Sequence, residues 1–433
     1  MLVLANRFRL AVGIAVFTSS FVFRPFQSDE FSVALGLNGF LVLSVWLGVV
    51  INRKLRRDSY VEWDVVSPKL AILYLFLGLG IILSFFADSS ILAFEYRQNL
   101  FQSVLTFSLF IVTAIVFIKT LVLFRNDDEA QVLFLKLFVL SSLIHLLNNI
   151  MLINGYESLL PKSFLQGDFT NPFEIRLAGL FFDYELIVDY SLCVIAFSLV
   201  LVERTQTRSY LIFIVVGALL GLASGTRSFL VISLIFFLMY SALNLMYYHR
   251  SKILLSLKIL SLVTIFVLGA YYVLTSFLHL DVIFERFSTA VDLAQAGDYE
   301  GAANRPFSSS LPIILASSGV WGFGSMIITS IESDVLVFHN LYAAIFADYG
   351  ILGLLALAYL IVHVITELVK VMRETNHAGL RREAIVYLSL FVGLLFQQSK
   401  ITLTRDMSTI LLYVFLLMNV YFLTHRFRQS RVQ

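Results

Sequence analysis

In a chain dominated by apolar residues, the side chains able to hold charge or move a proton are few. His339 and Asn340 stand together at the start of a long apolar run, HNLYAAIFADYGILGLL. A neutral imidazole can accept a proton from a hydroxyl near neutral pH, and an adjacent amide can help position it. Arg176 (FEIRLAGLFFDYE), Arg227 (LASGTRSFL) and Arg305 (GAANRPFSSSLPII) each border apolar sequence. The planar guanidinium suits bidentate recognition of phosphate or carboxylate. A histidine base accompanied by such arginines is a pattern for proton transfer beside an anion. The bland reading stays open: Arg227 as a snorkelling interfacial residue and Arg305 as a loop residue.

A second set of polar groups lies deeper. Asp183, Glu185 and Asp189 follow Arg176 closely, and Glu185 and Asp189 share a helix face because they are four apart. At ~1.5 Å of rise per residue, Asp189 falls well within the apolar run. Acids at that depth are costly and face a cavity or a partner. His145 and Asn149 share a face in the same way, with Asn148 beside them. A hydrogen-bond cluster between two helices and a polar cavity open to one side both fit these residues. The acid pairs Asp29–Glu30 and Glu332–Asp334 are read as solvated loop residues, and no metal is assigned.

These groups need elements to position them. The 433 residues are 59% hydrophobic and 14% charged, with 41 phenylalanines, far from the ~25% charged residues of a soluble domain. Mean hydropathy is +0.87. The chain reads as a single all-α integral membrane unit over 1–433. About twelve spans of the required ~20 residues fall roughly at 8–24, 31–51, 70–87, 100–123, 131–153, 178–202, 209–223, 229–248, 253–278, 341–366, 384–400 and 408–424. The N-terminal stretch is expected to be an uncleaved first span. Placing both termini inside puts 22 of the 31 lysines and arginines on the inner face and nine on the outer, as the positive-inside rule requires. Two outer loops follow, a smaller one at 154–177 and a long one at 279–340. The long loop is expected to be ordered, because FERFSTAVDLAQA has helical periodicity. A net charge of +2 gives no basic field for nucleic acid, and the single Cys193 excludes an intramolecular disulfide or a cysteine zinc site. His339 and the arginines 176, 227 and 305 all fall at the outer face.

Those segments resemble the O-antigen ligase/polymerase family, bacterial membrane glycosyltransferases that use undecaprenyl-pyrophosphate-linked sugars. RLAGLFFDYE (176–185) is similar to the family's Arg-x-x-Gly-x-Phe segment, with Glu185 where Asn is common. SGTRS (224–228) resembles its Ser-x-(Ser/Thr)-Arg turn. NRPFSSSLPIILASSGVWGFGSM (304–326) resembles its arginine segment leading to a Gly-x-Gly turn. HNLYAAIFADYGILGLL is similar to its His-Asn segment leading to Glu-x-Gly-x-x-Gly, with Asp348 for the Glu and with Gly350 and Gly353 in place. Arg405 matches a further family arginine. The likeness covers the chain from about 176 onward, and residues 1–170 match only as generic spans.

The resemblance implies a GT-C-like helical membrane fold with the active site on the periplasmic face of the bacterial inner membrane. It implies inverting, metal-independent transfer of a polyprenyl-pyrophosphate-linked glycan to a hydroxyl, without a cofactor. His339 would be the base, Arg227 and Arg305 the main pyrophosphate contacts, and Arg176, Asn340 and Arg405 supporting contacts. The partners implied are a lipid-linked oligosaccharide donor, a lipid-linked or lipid A core acceptor, membrane lipid and a chain-length regulator. A polymerase is expected ahead of a ligase. The rival from another class is a lipid-linked sugar transporter, for which Asp183, Glu185, Asp189 and His145 would suit an ion path.

Overall fold

The computed structural model of the protein describes residues 2–19, 27–28, 31–32, 42–48, 112–154, 156–157, 159, 177, 179–181, 184–247, 292, 295–296, 341–398 and 407–432. The described residues are almost entirely helical. In chain order the described helices of more than ten residues are α1 (Leu2–Thr18), α2 (Val112–Val122), α3 (Asp128–Ile153), α4 (Tyr184–Thr205), α5 (Ile212–Ala223), α6 (Arg227–Tyr247), α7 (Leu341–Glu374), α8 (Ala378–Gln398) and α9 (Met407–Val432). A two-residue ladder pairs β1 (Gln27–Ser28) with β2 (Phe31–Ser32), antiparallel, Gln27 opposite Ser32. The expected spans at 70–87 and 253–278 and most of the loop at 279–340 lie outside the described residues.

Among the described residues, five helices are long and apolar enough to cross a membrane: Asp128–Leu152, Leu186–Thr205, Ser228–Tyr247, Gly350–Glu374 and Ile410–Arg431. Apart from the short ladder, the described residues form a helical bundle with the character of a membrane protein. α8, expected as a span over 384–400, falls short of that composition because Arg381–Glu383 and Gln397–Gln398 occupy its ends. It lies against α4, α6, α7 and α9, with both glutamines and Glu383 buried.

α4 is the axis of the bundle. It is buried continuously from Leu186 to Leu201 and packs against α3, α5 and α8. A helix that is apolar on every side belongs in the middle of an assembly, not at its edge. Between helices in lipid, contact depends on close packing more than on apolar burial, so small residues sit where backbones approach. A Cβ at Gly217 of α5 would come within 2.9 Å of the Ser191 carbonyl of α4. At Gly393 of α8 it would meet Leu192 of α4 at 3.1 Å and the Ile232 carbonyl of α6 at 3.5 Å. Aromatic rings fill the centre: Phe138 stacks on Phe415 (5.2 Å between centroids) and meets Phe197 edge-on (5.0 Å).

The helix directions sort the polar residues into two ends. One end is ionic. Glu383, at the start of α8, accepts Arg426 Nη2 (2.5 Å) and Nη1 (3.2 Å) from α9 and Arg204 Nε (3.3 Å to each oxygen) from α4. The side chains of Glu383 and Arg204 are only 4% and 5% exposed. Gln131 of α3 accepts Arg204 Nη2 at 3.2 Å and donates to the Phe124 and Arg125 carbonyls. Arg382 pairs with Glu203 (2.6 Å). Arg9 of α1 reaches Asp127, which also caps α3 by accepting from Ala130 N. Both the start of α1 and the end of α9 belong to this end, and Arg431 pairs with Glu374 there.

Candidate functional site at the second polar end

The opposite end of the bundle is held by hydrogen bonds to amides, turn backbone and one carboxylate, Asp189, and it carries the residues whose types suggest chemistry. From α3, three consecutive-turn side chains grip the turn before α4. Asn149 Oδ1 accepts from Gly179 N (3.0 Å), Asn148 Nδ2 donates to Gly179 O (2.7 Å), and His145 Nδ1 accepts from Leu180 N (3.0 Å). Because Nδ1 accepts, the ring proton of His145 sits on Nε2. The ring stacks on Phe181 at 4.8 Å and lies against Tyr190. Gly179 takes φ +63°, and a Cβ there would lie 2.6 Å from His145 Nδ1, so glycine alone allows this close seat. Asn148 also accepts from Leu159 N (2.8 Å), tying in the segment that leaves α3.

The same turn is fastened to the α5–α6 connection. Leu177 N donates to Ala223 O (3.1 Å). Leu177 follows Arg176 in sequence, and Ala223 is followed by SGTR. The connection is tight: Ser224 N bonds Leu220 O, Gly225 adopts φ +64°, and the Ser224 and Thr226 hydroxyls meet at 2.8 Å. It sets Arg227 at the first position of α6. Two of the four motif segments are thereby joined.

Around Asp189 a third group of polar side chains meets. Asp189 Oδ2 accepts from Tyr413 Oη of α9 (2.6 Å) and from Gln398 Nε2 of α8 (3.0 Å), while Gln398 also contacts Tyr413. Tyr342, at the start of α7, donates to the Leu395 carbonyl of α8 (2.8 Å). The beginning of α7, which follows His339 and Asn340 in sequence, therefore lies at this end too. α7 is interrupted at Gly350 (φ 63°, ψ −155°), which separates a short first part from the spanning part. Such breaks free backbone groups and are tolerated at membrane depth only where protein or a cavity meets them.

His145, Asn149 and Asp189 are thus brought to one end of the bundle with Arg227, whose backbone opens α6, and Glu185, in the first turn of α4. Arg176, Asp183, Arg305, His339, Asn340 and Arg405 lie outside the described residues. Sequence reasoning passed over Gln397, Gln398 and Tyr413. The polar doublet in LLFQQSK, within an otherwise apolar run, was the available signal. Among the described residues, no three His, Cys, Asp or Glu side chains gather closely enough to hold a metal ion.

No protein-family model matches the chain, and no curated protein matches its sequence. Among the described residues, fold and site define a helical bundle with helices long and apolar enough to cross a membrane and a hydrogen-bonded polar cluster at one end.

Proposed function

We propose that the protein is a surface-polysaccharide polymerase of the bacterial inner membrane, working at the periplasmic face. It transfers a polyprenyl-pyrophosphate-linked glycan to a hydroxyl of a lipid-linked repeat unit. The reading keeps about twelve spans and a periplasmic loop at 279–340. It puts the ionic end of the bundle, where the arginines concentrate, in the cytoplasm with both termini. The observation that carries it is the Leu177–Ala223 bond, which fastens the segment after Arg176 to the turn leading into Arg227. The start of α7, directly after His339–Asn340, lies at the same end.

In the proposed reaction the acceptor hydroxyl oxygen attacks the anomeric carbon from the face opposite the pyrophosphate, inverting that centre. His339 takes the hydroxyl proton as the new C–O bond forms. The bond to the pyrophosphate oxygen breaks with its electron pair, and Arg227 and Arg305 stabilise the negative charge that develops, with Arg176, Asn340 and Arg405 as further contacts. No metal or cofactor is called on.

His339→Ala in proteoliposomes should insert normally and lose glycan transfer; transfer at the wild-type rate would overturn the base assignment. Chain growth on lipid-linked repeat alone marks a polymerase, and a requirement for lipid A core marks a ligase. One observation favours a second reading: the break at Gly350 resembles the discontinuous helices of carriers. Release of polyprenyl pyrophosphate separates the two, since a lipid-linked sugar transporter produces none.

A further inference from the structure

Gln397 is buried completely, and among the described residues neither its amide nitrogen nor its amide oxygen has a hydrogen-bond partner. The amide oxygen of the neighbouring Gln398, 3% exposed, is in the same condition. Three orphaned amide atoms on two adjacent residues are unusual, because a buried polar group left unmade costs far more than a satisfied one gains. Natural proteins retain such groups where something else completes them.

Their position follows from helix register. Gly393 of α8 packs on Leu192 of α4 and on the Ile232 carbonyl of α6. Gln397 lies one turn further along the same face of α8. At that level α4 presents Asp189, three residues before Leu192, and the backbone of α6 begins, at Arg227 and Ser228, about one turn before Ile232. Gln398 is bonded to Asp189 directly. The orphaned amides therefore lie at the level of Asp189 and of the opening turn of α6.

The chemistry of the three atoms selects the ligand. A phosphate oxygen could accept from Gln397 Nε2 but would face two amide oxygens and a carboxylate. A metal or ammonium ion would suit the oxygens and be repelled by the amide N–H. A hydroxyl both donates and accepts, so neighbouring sugar hydroxyls can satisfy all three atoms. Resting on the function proposed above, we infer that Gln397 and Gln398, with Asp189 and Tyr413 fixing Gln398, form a subsite for hydroxyls of the sugar nearest the pyrophosphate.

The test compares wild type with Gln397→Leu, a variant of similar shape that removes orphaned groups. Its unfolding midpoint should be unchanged or raised, which a merely structural role for the amide would not allow. Its KM for lipid-linked oligosaccharide should rise about tenfold, the loss expected for one or two hydrogen bonds, with kcat changing less. Two probes are then added to each protein in detergent: undecaprenyl pyrophosphate, and the same lipid carrying its oligosaccharide. The sugar-bearing lipid should raise the midpoint of the wild type more than the bare lipid, and the difference should vanish in Gln397→Leu. Equal shifts from both lipids in the wild type would overturn the sugar subsite, leaving ordered water as the completion of the amides, while the proposed function stands. A wild type shifted by neither lipid would overturn the proposed function itself. An unchanged KM in Gln397→Leu would also overturn the subsite.

Discussion

Glu383 offers the sharpest test of how the bundle is held. Its carboxylate takes four N–H contacts from Arg204 and Arg426, which come from different helices, and its side chain is 4% exposed. Glu383→Gln keeps the shape and removes the charge. Among the described residues, Arg204 then keeps Asp128 as its one carboxylate, at 3.7 Å, and that side chain is 64% exposed. Removing one partner of a buried ion pair costs about 3–5 kcal/mol, because the remaining charges stay desolvated. The control is Glu367→Gln, whose partner Arg428 is 62% exposed, where at most about 1 kcal/mol is expected. Unfolding of the purified protein in detergent or lipid, followed by denaturant or temperature, reads the difference. A further variant separates charge from packing. Glu383→Leu combined with Arg204→Met and Arg426→Met removes the buried carboxylate and both of its arginines together and should recover most of the loss. If Glu383→Gln destabilises no more than Glu367→Gln, the cluster does not hold these helices and the reasoning fails.

Two further outcomes are expected. Gly179→Ala forces a side chain onto a backbone at φ +63° with His145 and Ile187 both 2.6 Å from the new Cβ, so it should cost at least the ~1–2 kcal/mol of a left-handed alanine and lower glycan transfer. Circular dichroism melting and a transfer assay check it; a wild-type melting curve would contradict the geometry. Tyr413→Phe withdraws the hydroxyl that donates to Asp189 at 2.6 Å and should destabilise by roughly 1.5–3 kcal/mol, the range for a hydrogen bond to a charged group. A midpoint equal to the wild type would show that Asp189 does not rely on Tyr413.

Helix ends were legible where charge or turn residues mark them. The expected span 229–248 corresponds to α6 at Arg227–Tyr247, and 209–223 is short in the structure too, a 3-10 turn at Arg208–Leu211 running into α5. Arginines 9, 204, 382 and 426, all expected on the inner face, gather at one end of the bundle, because alternating helix directions carry them there. Hydrophobicity could not show that α4 is the axis, since a lipid-facing helix and a buried one are equally apolar. Nor could spacing along the chain reveal that Glu383 of α8 serves two arginines, or that Gln398 and Tyr413 close on Asp189. Those contacts join residues from 43 to 224 positions apart, and the packing of α8 against α4 and α9 makes them. The depth of Asp189 could be read from helical rise; what it faced could not.

The two ends of the bundle differ in what would have to break for helices to part. At one end, arginines from α4 and α9 converge on the buried Glu383 carboxylate of α8; at the other, the bonds run through amides, an imidazole, turn backbone and the Asp189 carboxylate. The molecule is built like a clothes-peg with its spring at the charged end. A helix of about 25 residues is about 38 Å long, so a tilt of about 3° about its anchored foot carries the far tip about 2 Å. A separation of that size exceeds the reach of a hydrogen bond at the tips while hardly displacing the charged foot, so the hydrogen-bonded end is the one a small tilt would part first.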